Sequence, residues 1–165
     1  KYSGAFPFFG LAYLLARRSI WAFVSVLLMA ISIFLLVNIP IAGQLGLGRW
    51  VEEILKALSW HTTSRPPGPT ASTPLDWLLM RNAFALYINP DIYASGTPAY
   101  LVALAFALYR RDDVSILYLS TYGGYWLGYL AGNHTLYSFY TAHFSPLAHI
   151  VLAQLLSSIA NFGKK

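Results

Sequence analysis

Residues 19–42, Ser19-Ile-Trp-Ala-Phe-Val-Ser-Val-Leu-Leu-Met-Ala-Ile-Ser-Ile-Phe-Leu-Leu-Val-Asn-Ile-Pro-Ile-Ala42, decide the class of this chain. They are 24 consecutive residues without a charge. About 20 apolar residues are needed to cross a hydrocarbon core of roughly 30 Å, so this stretch suffices as a transmembrane helix. Arg17 and Arg18 stand directly before it, and Asn38 and Pro40 fall near its far end, where a kink costs least.

The rest of the composition agrees. The chain has 165 residues, 57% hydrophobic and only 10% charged, too few charges to cover a water-soluble globule of this size. The low charge argues against disorder, and the absence of cysteine excludes disulfides and thiolate metal sites. The net charge of +5 is spread along the chain, a pattern of membrane orientation and acidic headgroups, not of a nucleic-acid surface. The expected class is an all-α integral membrane protein, a single domain over residues 1–165.

Working outward, Ala5 to Ala16 is apolar but too short to cross. The 19–42 span follows it, not a polar cleavage region, so it is expected at the interface or against the bundle and not as a signal peptide. Residues 43–75 form the polar external loop. Within it Trp50, Val51, Ile54, Leu55 and Leu58 recur at helical spacing, with Arg49, Glu52, Glu53 and Lys56 opposite. This is an amphipathic helix, on the membrane surface or on the loop, with Trp50 and Trp60 suited to headgroup depth. His61 to Pro74 is a proline-rich connector.

Ser72 or Thr73 followed by Pro74 starts a helix that runs through 76–89 and stops at Pro90. It carries Arg81 and Asn82, so it is an interfacial or broken helix. Ser95 or Thr97 before Pro98 is a second start signal. Counted from Ile92 to Tyr109, that apolar run just suffices to cross. Two further spans are expected at 114–132 and 136–162, joined tightly through Asn133-His134-Thr135, the one N-x-S/T tripeptide.

Basic residues favour the cytoplasmic side of a span. If both halves of 75–109 crossed, Arg110/Arg111 and Lys164/Lys165 would lie opposite Arg17/Arg18. If that stretch makes one net crossing, all three pairs share a side. The expectation is therefore about four net spans (19–42, 92–109, 114–132, 136–162), with short interfacial or half-crossing helices and both termini cytoplasmic.

Gly124, Gly128 and Gly132 recur every four residues, and Ala99, Ala103 and Ala107 repeat that spacing. Between helices in lipid, close backbone contact replaces the hydrophobic effect, so such rows are packing faces of a glycine-zipper kind, within one chain or between copies. Tyr118, Tyr122, Tyr125 and Tyr129 form a neighbouring row, for packing or for a polar path.

Catalytic signatures are absent: no G-x-S-x-G, Walker A loop, H-E-x-x-H or EF-hand loop occurs. The candidate polar or transport site is Arg81, Asn82 and Asp91 around the break at Asn89-Pro90, with His149 and His143. The two histidines point about 120° apart on a regular helix, so a shared metal ion is not expected. Three functions follow. The first is a non-enzymatic component that works by helix packing, as a homo-oligomer or a small subunit among other membrane subunits in the lipid bilayer. The second is a small transporter or channel with a broken helix near 89–98. The third is a membrane enzyme or haem protein using the two histidines. No metal or other cofactor and no nucleic acid is expected.

Overall fold

The computed structural model describes residues 5–62, 71–89 and 91–162. The Lys164/Lys165 pair, the side chains of Trp60 and His61 and most of the proline-rich connector lie outside the described residues. Of the described residues 77% are helical, and among them one two-stranded hairpin is the exception to the all-α expectation. In chain order the elements are α1 (Ala5–Arg18), α2 (Ile20–Leu45), α3 (Leu47–Thr62), α4 (Pro74–Leu78), β1 (Phe84–Ile88), β2 (Asp91–Ala94), α5 (Ala99–Arg110), α6 (Asp113–Leu130), a 3₁₀ helix (Ser138–His143) and α7 (Ser145–Phe162).

The decisive stretch forms α2. The Ser19 hydroxyl accepts from the Ala22 N–H at 3.4 Å and caps it. Gly46, at φ 78°, ends it in a conformation that favours glycine. The chain then folds back. The Trp50 indole donates to Asn38 Oδ1 at 3.3 Å, and its ring lies 6.2 Å from that of Phe34. In a straight helix residues 38 and 50 would be about 18 Å apart. The α3 helix is amphipathic as expected.

Among the described residues two helices are long and apolar enough to cross a membrane, α2 and α7. The four expected spans are not all met at that standard. With 12 residues, α5 rises about 18 Å, short of the core. α6 has 18 residues, but Ser115, Ser120, Thr121 and its glycines and tyrosines lower its hydropathy.

Three boundaries differ from the sequence expectation. The helix expected over 76–89 stops at Leu78. Its start is as expected, with the Thr73 hydroxyl accepting from the Asp76 N–H at 3.2 Å and Asp76 accepting from the Thr73 N–H at 2.7 Å. Met80 and Asn82 then take positive φ, which a helix cannot continue through. Phe84–Ile88 and Asp91–Ala94 pair as an antiparallel hairpin, with Phe84 opposite Ala94 and Ile88 opposite Asp91. The region near 89–98 is thus a hairpin and its exit, not a broken helix. The span expected over 92–109 begins as a strand, and its helix starts only at the Thr97-Pro98 signal. The span expected over 136–162 is divided into a 3₁₀ turn and α7, with Phe144 between them.

The helices share two ends. Phe6 of α1 meets Tyr125 of α6, while Arg18 meets Asp113, so α1 and α6 are antiparallel. Tyr100 of α5 lies beside His149 of α7, and Arg110 donates to the Ser158 hydroxyl at 3.4 Å, so α5 and α7 are parallel. α1, α5 and α7 all run towards the end where α6 starts. The hairpin, α4 and the 3₁₀ helix occupy the opposite end.

Candidate functional site

The expected polar set does not converge. Arg81, Asn82 and Asp91 are exposed around the hairpin. Asn82 donates to Asp76 at 3.2 Å, and among the described residues no ion pair joins Arg81 to Asp91. His149 is exposed on the first turns of α7, and its Nδ1 sits 2.7 Å from the Ser145 carbonyl oxygen. A carbonyl only accepts, so that nitrogen carries the proton. His143 hydrogen-bonds the Tyr125 hydroxyl, and its ring stacks on Tyr125 and Tyr140. Among the described residues no three His, Asp or Glu side chains are grouped to hold a metal ion.

The small-residue rows have occupants within the chain. A Cβ on Gly124 would overlap the Phe6 ring, and one on Gly128 would stand 3.9 Å from it. On the other side, a Cβ on Gly10 would overlap the Ser120 hydroxyl. Glycines on both helices therefore let α1 and α6 approach closely. Gly132 is not part of this face: at φ 108° it lies in the turn after α6. Ala103 and Ala107 are fully buried in one cluster with Ala148 and Val151 of α7, and Ala99 is half-buried at the edge.

The centre of the molecule is aromatic. Phe144 lies within 5.2–6.4 Å of the rings of Tyr100, Tyr118, Tyr122, Tyr125 and Trp77. The buried Trp77 indole donates to the Ser72 hydroxyl at 2.7 Å. Tyr118, Tyr122 and Tyr125 of the tyrosine row are buried and pack by their rings, with each hydroxyl hydrogen-bonded at its tip. Tyr118 donates to the Tyr100 carbonyl and Tyr122 to the Pro74 carbonyl, both at 3.0 Å. Ser138, at the start of the 3₁₀ helix, pins the hairpin. Its hydroxyl donates to the Ala94 carbonyl at 2.5 Å and accepts from the Phe84 N–H at 2.9 Å. Phe6 and Phe144 carry no sequence signal of their roles, because each is one phenylalanine in a chain that is 16% aromatic.

Two surfaces remain. One is α2: none of its residues is buried, and its main contacts are with its chain neighbours α1 and α3. Trp21 is 76% exposed and Val37 68%. A helix apolar on every side, with no residue buried, presents a larger apolar patch than a soluble monomer usually exposes. The other is the arginine end. Arg18 donates to Asp113 at 2.5 Å and Arg110 to Asp112 at 2.8 Å. Asp112 also caps α6, accepting from the Ser115 N–H at 2.9 Å. Partial burial opposes its charge, but the Ser115 N–H and the Arg110 guanidinium outweigh it and hold the carboxyl below its ordinary value. A cleft of about 160 Å³ opens here, lined by Leu14, Arg17, Arg18 and Asp113. The pairs Arg17/Arg18 and Arg110/Arg111, far apart in sequence, thus lie at one end.

No protein family, curated protein or solved structure matches this chain.

Proposed function

We propose that this protein is an integral membrane component that acts through helix packing, as a subunit of a membrane assembly. The observation that carries the reading is α2, 26 residues long with mean hydropathy 2.8 over its best window and no buried residue. Such a helix is stable in lipid or against other apolar helices, and costly in water. The second candidate span, α7, also leaves most of its apolar window uncovered, including Leu156 and Phe162.

The finer topology of four crossings draws on the helix directions; in it α5, only about 18 Å long, crosses together with the extended residues from Ile92 that lead into it. α2 leaves from the arginine end. α5 returns towards that end, α6 leaves it and α7 returns again. α1 is the half-crossing element, folded against the glycine face of α6. In this arrangement Arg17/Arg18 and Arg110/Arg111 share the cytoplasmic surface, and the hairpin end with Asn133 faces the other side. The assembly contact falls on α2, because the glycine face is already occupied by α1.

The test uses the absence of native cysteine. Single cysteines at Ser158 and at Tyr87 are labelled in sealed vesicles with a membrane-impermeant maleimide. Labelling from opposite sides is expected. Labelling of both from one side, or release of the protein by alkaline carbonate, overturns the topology. Disulfide crosslinking between copies through a cysteine at Leu36 tests the assembly contact. A monomer in mild detergent, with neither crosslinks nor co-purifying membrane subunits, removes that part.

A further inference from the structure

We infer that the arginine end is a binding site for the headgroup phosphate of an anionic phospholipid. The inference rests on the reading of α2 as a membrane span. It adds a ligand class, a site and the residues that hold it.

Charge is the first argument. Four arginines (17, 18, 110, 111) face two aspartates (112, 113), which leaves a net +2 at one end of the molecule. The ion pairs use Arg18 and Arg110. Among the described residues Arg17 and Arg111 have no carboxylate partner. Arg17 lies 5.6 Å over the Tyr13 ring, and Arg111 donates to the Leu108 carbonyl at 3.0 Å. Each retains guanidinium donors for an anion, and the planar fork of arginine matches a phosphate with paired hydrogen bonds.

Shape is the second argument. The cleft is walled by Arg17, by Arg18 and by the Asp113 carboxylate that Arg18 neutralises, and Leu14, almost wholly buried, contributes an apolar side. Ile20 and Trp21, which follow Arg18 in the chain at the start of α2, are exposed apolar side chains. A free phosphate ion would use only the arginines. A phospholipid would use both parts, with its phosphate held at this end by Arg17 and Arg111, unpaired among the described residues, beside Arg18, and its acyl chains along α2.

Depth is the third argument. α2 has 26 residues and rises about 39 Å, more than the roughly 30 Å core. Its first turn therefore reaches the headgroup layer, and Arg17 and Arg18 precede that turn. The net positive charge selects lipids with a net negative headgroup over zwitterionic ones, whose ammonium group would meet the same arginines.

The experiment uses the full chain in detergent micelles doped with phosphatidylglycerol or phosphatidylcholine, with retained lipid counted by native mass spectrometry. Preferential retention of phosphatidylglycerol is expected. The double variant Arg17→Gln/Arg111→Gln, which spares both ion pairs, should lower that retention by about fivefold or more. Arg49→Gln on α3 should leave it unchanged. Equal retention of the two lipids overturns the site. So does retention unaltered by the double variant, or full competition by millimolar inorganic phosphate, which would make it a free-phosphate site. Insertion of α2 is read separately, from oxygen accessibility of a spin label at Leu28 in vesicles. A buried label without lipid preference rejects this site alone, whereas a water-exposed label rejects the span reading beneath it.

Discussion

The backbone of Gly96 lies directly against the main chain of Trp77, so close that a Cβ on Gly96 would overlap the Trp77 carbonyl. This contact seats the exit of the hairpin on α4 and holds Trp77 under Phe144. Any side chain must push the two segments apart. Gly96→Ala should therefore destabilise the protein by about 1–3 kcal/mol. Gly123→Ala is the matched control: nothing lies within 4 Å of a Cβ there, and the position is helical. It should be neutral or stabilise by up to about 1 kcal/mol. Thermal midpoints of both variants in one detergent check the pair, and equal losses would show that the Gly96 contact is relaxed in solution.

The close approach of α1 to α6 predicts coupling between Phe6 and Gly124. Gly124→Ala alone drives a methyl group into the Phe6 ring. Phe6→Ala alone leaves a gap beside Tyr125. The double variant should lose less stability than the two single losses combined, by about 0.5–3 kcal/mol. Strict additivity in a double-mutant cycle would mean that the glycine face meets something other than Phe6.

Asp112 predicts an acid-sensitive start to α6. Its carboxyl is held below the ordinary value of 3.8 by the Ser115 N–H and by Arg110. A depressed pKa gives stability that is present above the unfolded value and lost as pH falls through the folded one. The wild type should therefore lose stability more steeply than Asp112→Asn below about pH 4. At neutral pH Asp112→Ala should cost about 0.5–2 kcal/mol as a lost cap. Asp113→Asn removes an exposed pair, with side chains 73% and 54% accessible, and should change stability by less than about 1 kcal/mol. Midpoints measured from pH 3 to 7 decide between these outcomes.

A lysine at the middle of α2 predicts failed insertion. Ile33→Lys places a charge at the centre of the proposed span, where it costs about 2.5–3.5 kcal/mol. The expected result is a fall in membrane-integrated protein after translation into microsomes. An unchanged membrane fraction, with improved solubility in water, would instead mark α2 as a helix that is covered by soluble partners.

What could be read from the linear chain was whatever local composition determines. The 24 uncharged residues of 19–42 were legible as one long helix apolar on every side, because that property is set by composition alone. Thr73-Pro74 and Thr97-Pro98 were legible as helix starts, because a cap needs only its own next three residues. The hairpin was not. Phe84–Ile88 and Asp91–Ala94 are apolar runs too short to separate a period of 2 from one of 3.6, and Asn89-Pro90 ends a helix and turns a hairpin equally well.

The sequence by itself determined the mostly helical character, the main apolar helix and the rows of small residues and tyrosines, since these depend on neighbours within a few positions. Only the tertiary structure decided what those rows touch. Gly124 meets Phe6, and Ser138 bonds both Ala94 and Phe84. Arg18 meets Asp113 across 95 positions of chain. Each of these contacts is made by chain closure between distant segments, and no local pattern encodes which distant residue will fill a given gap.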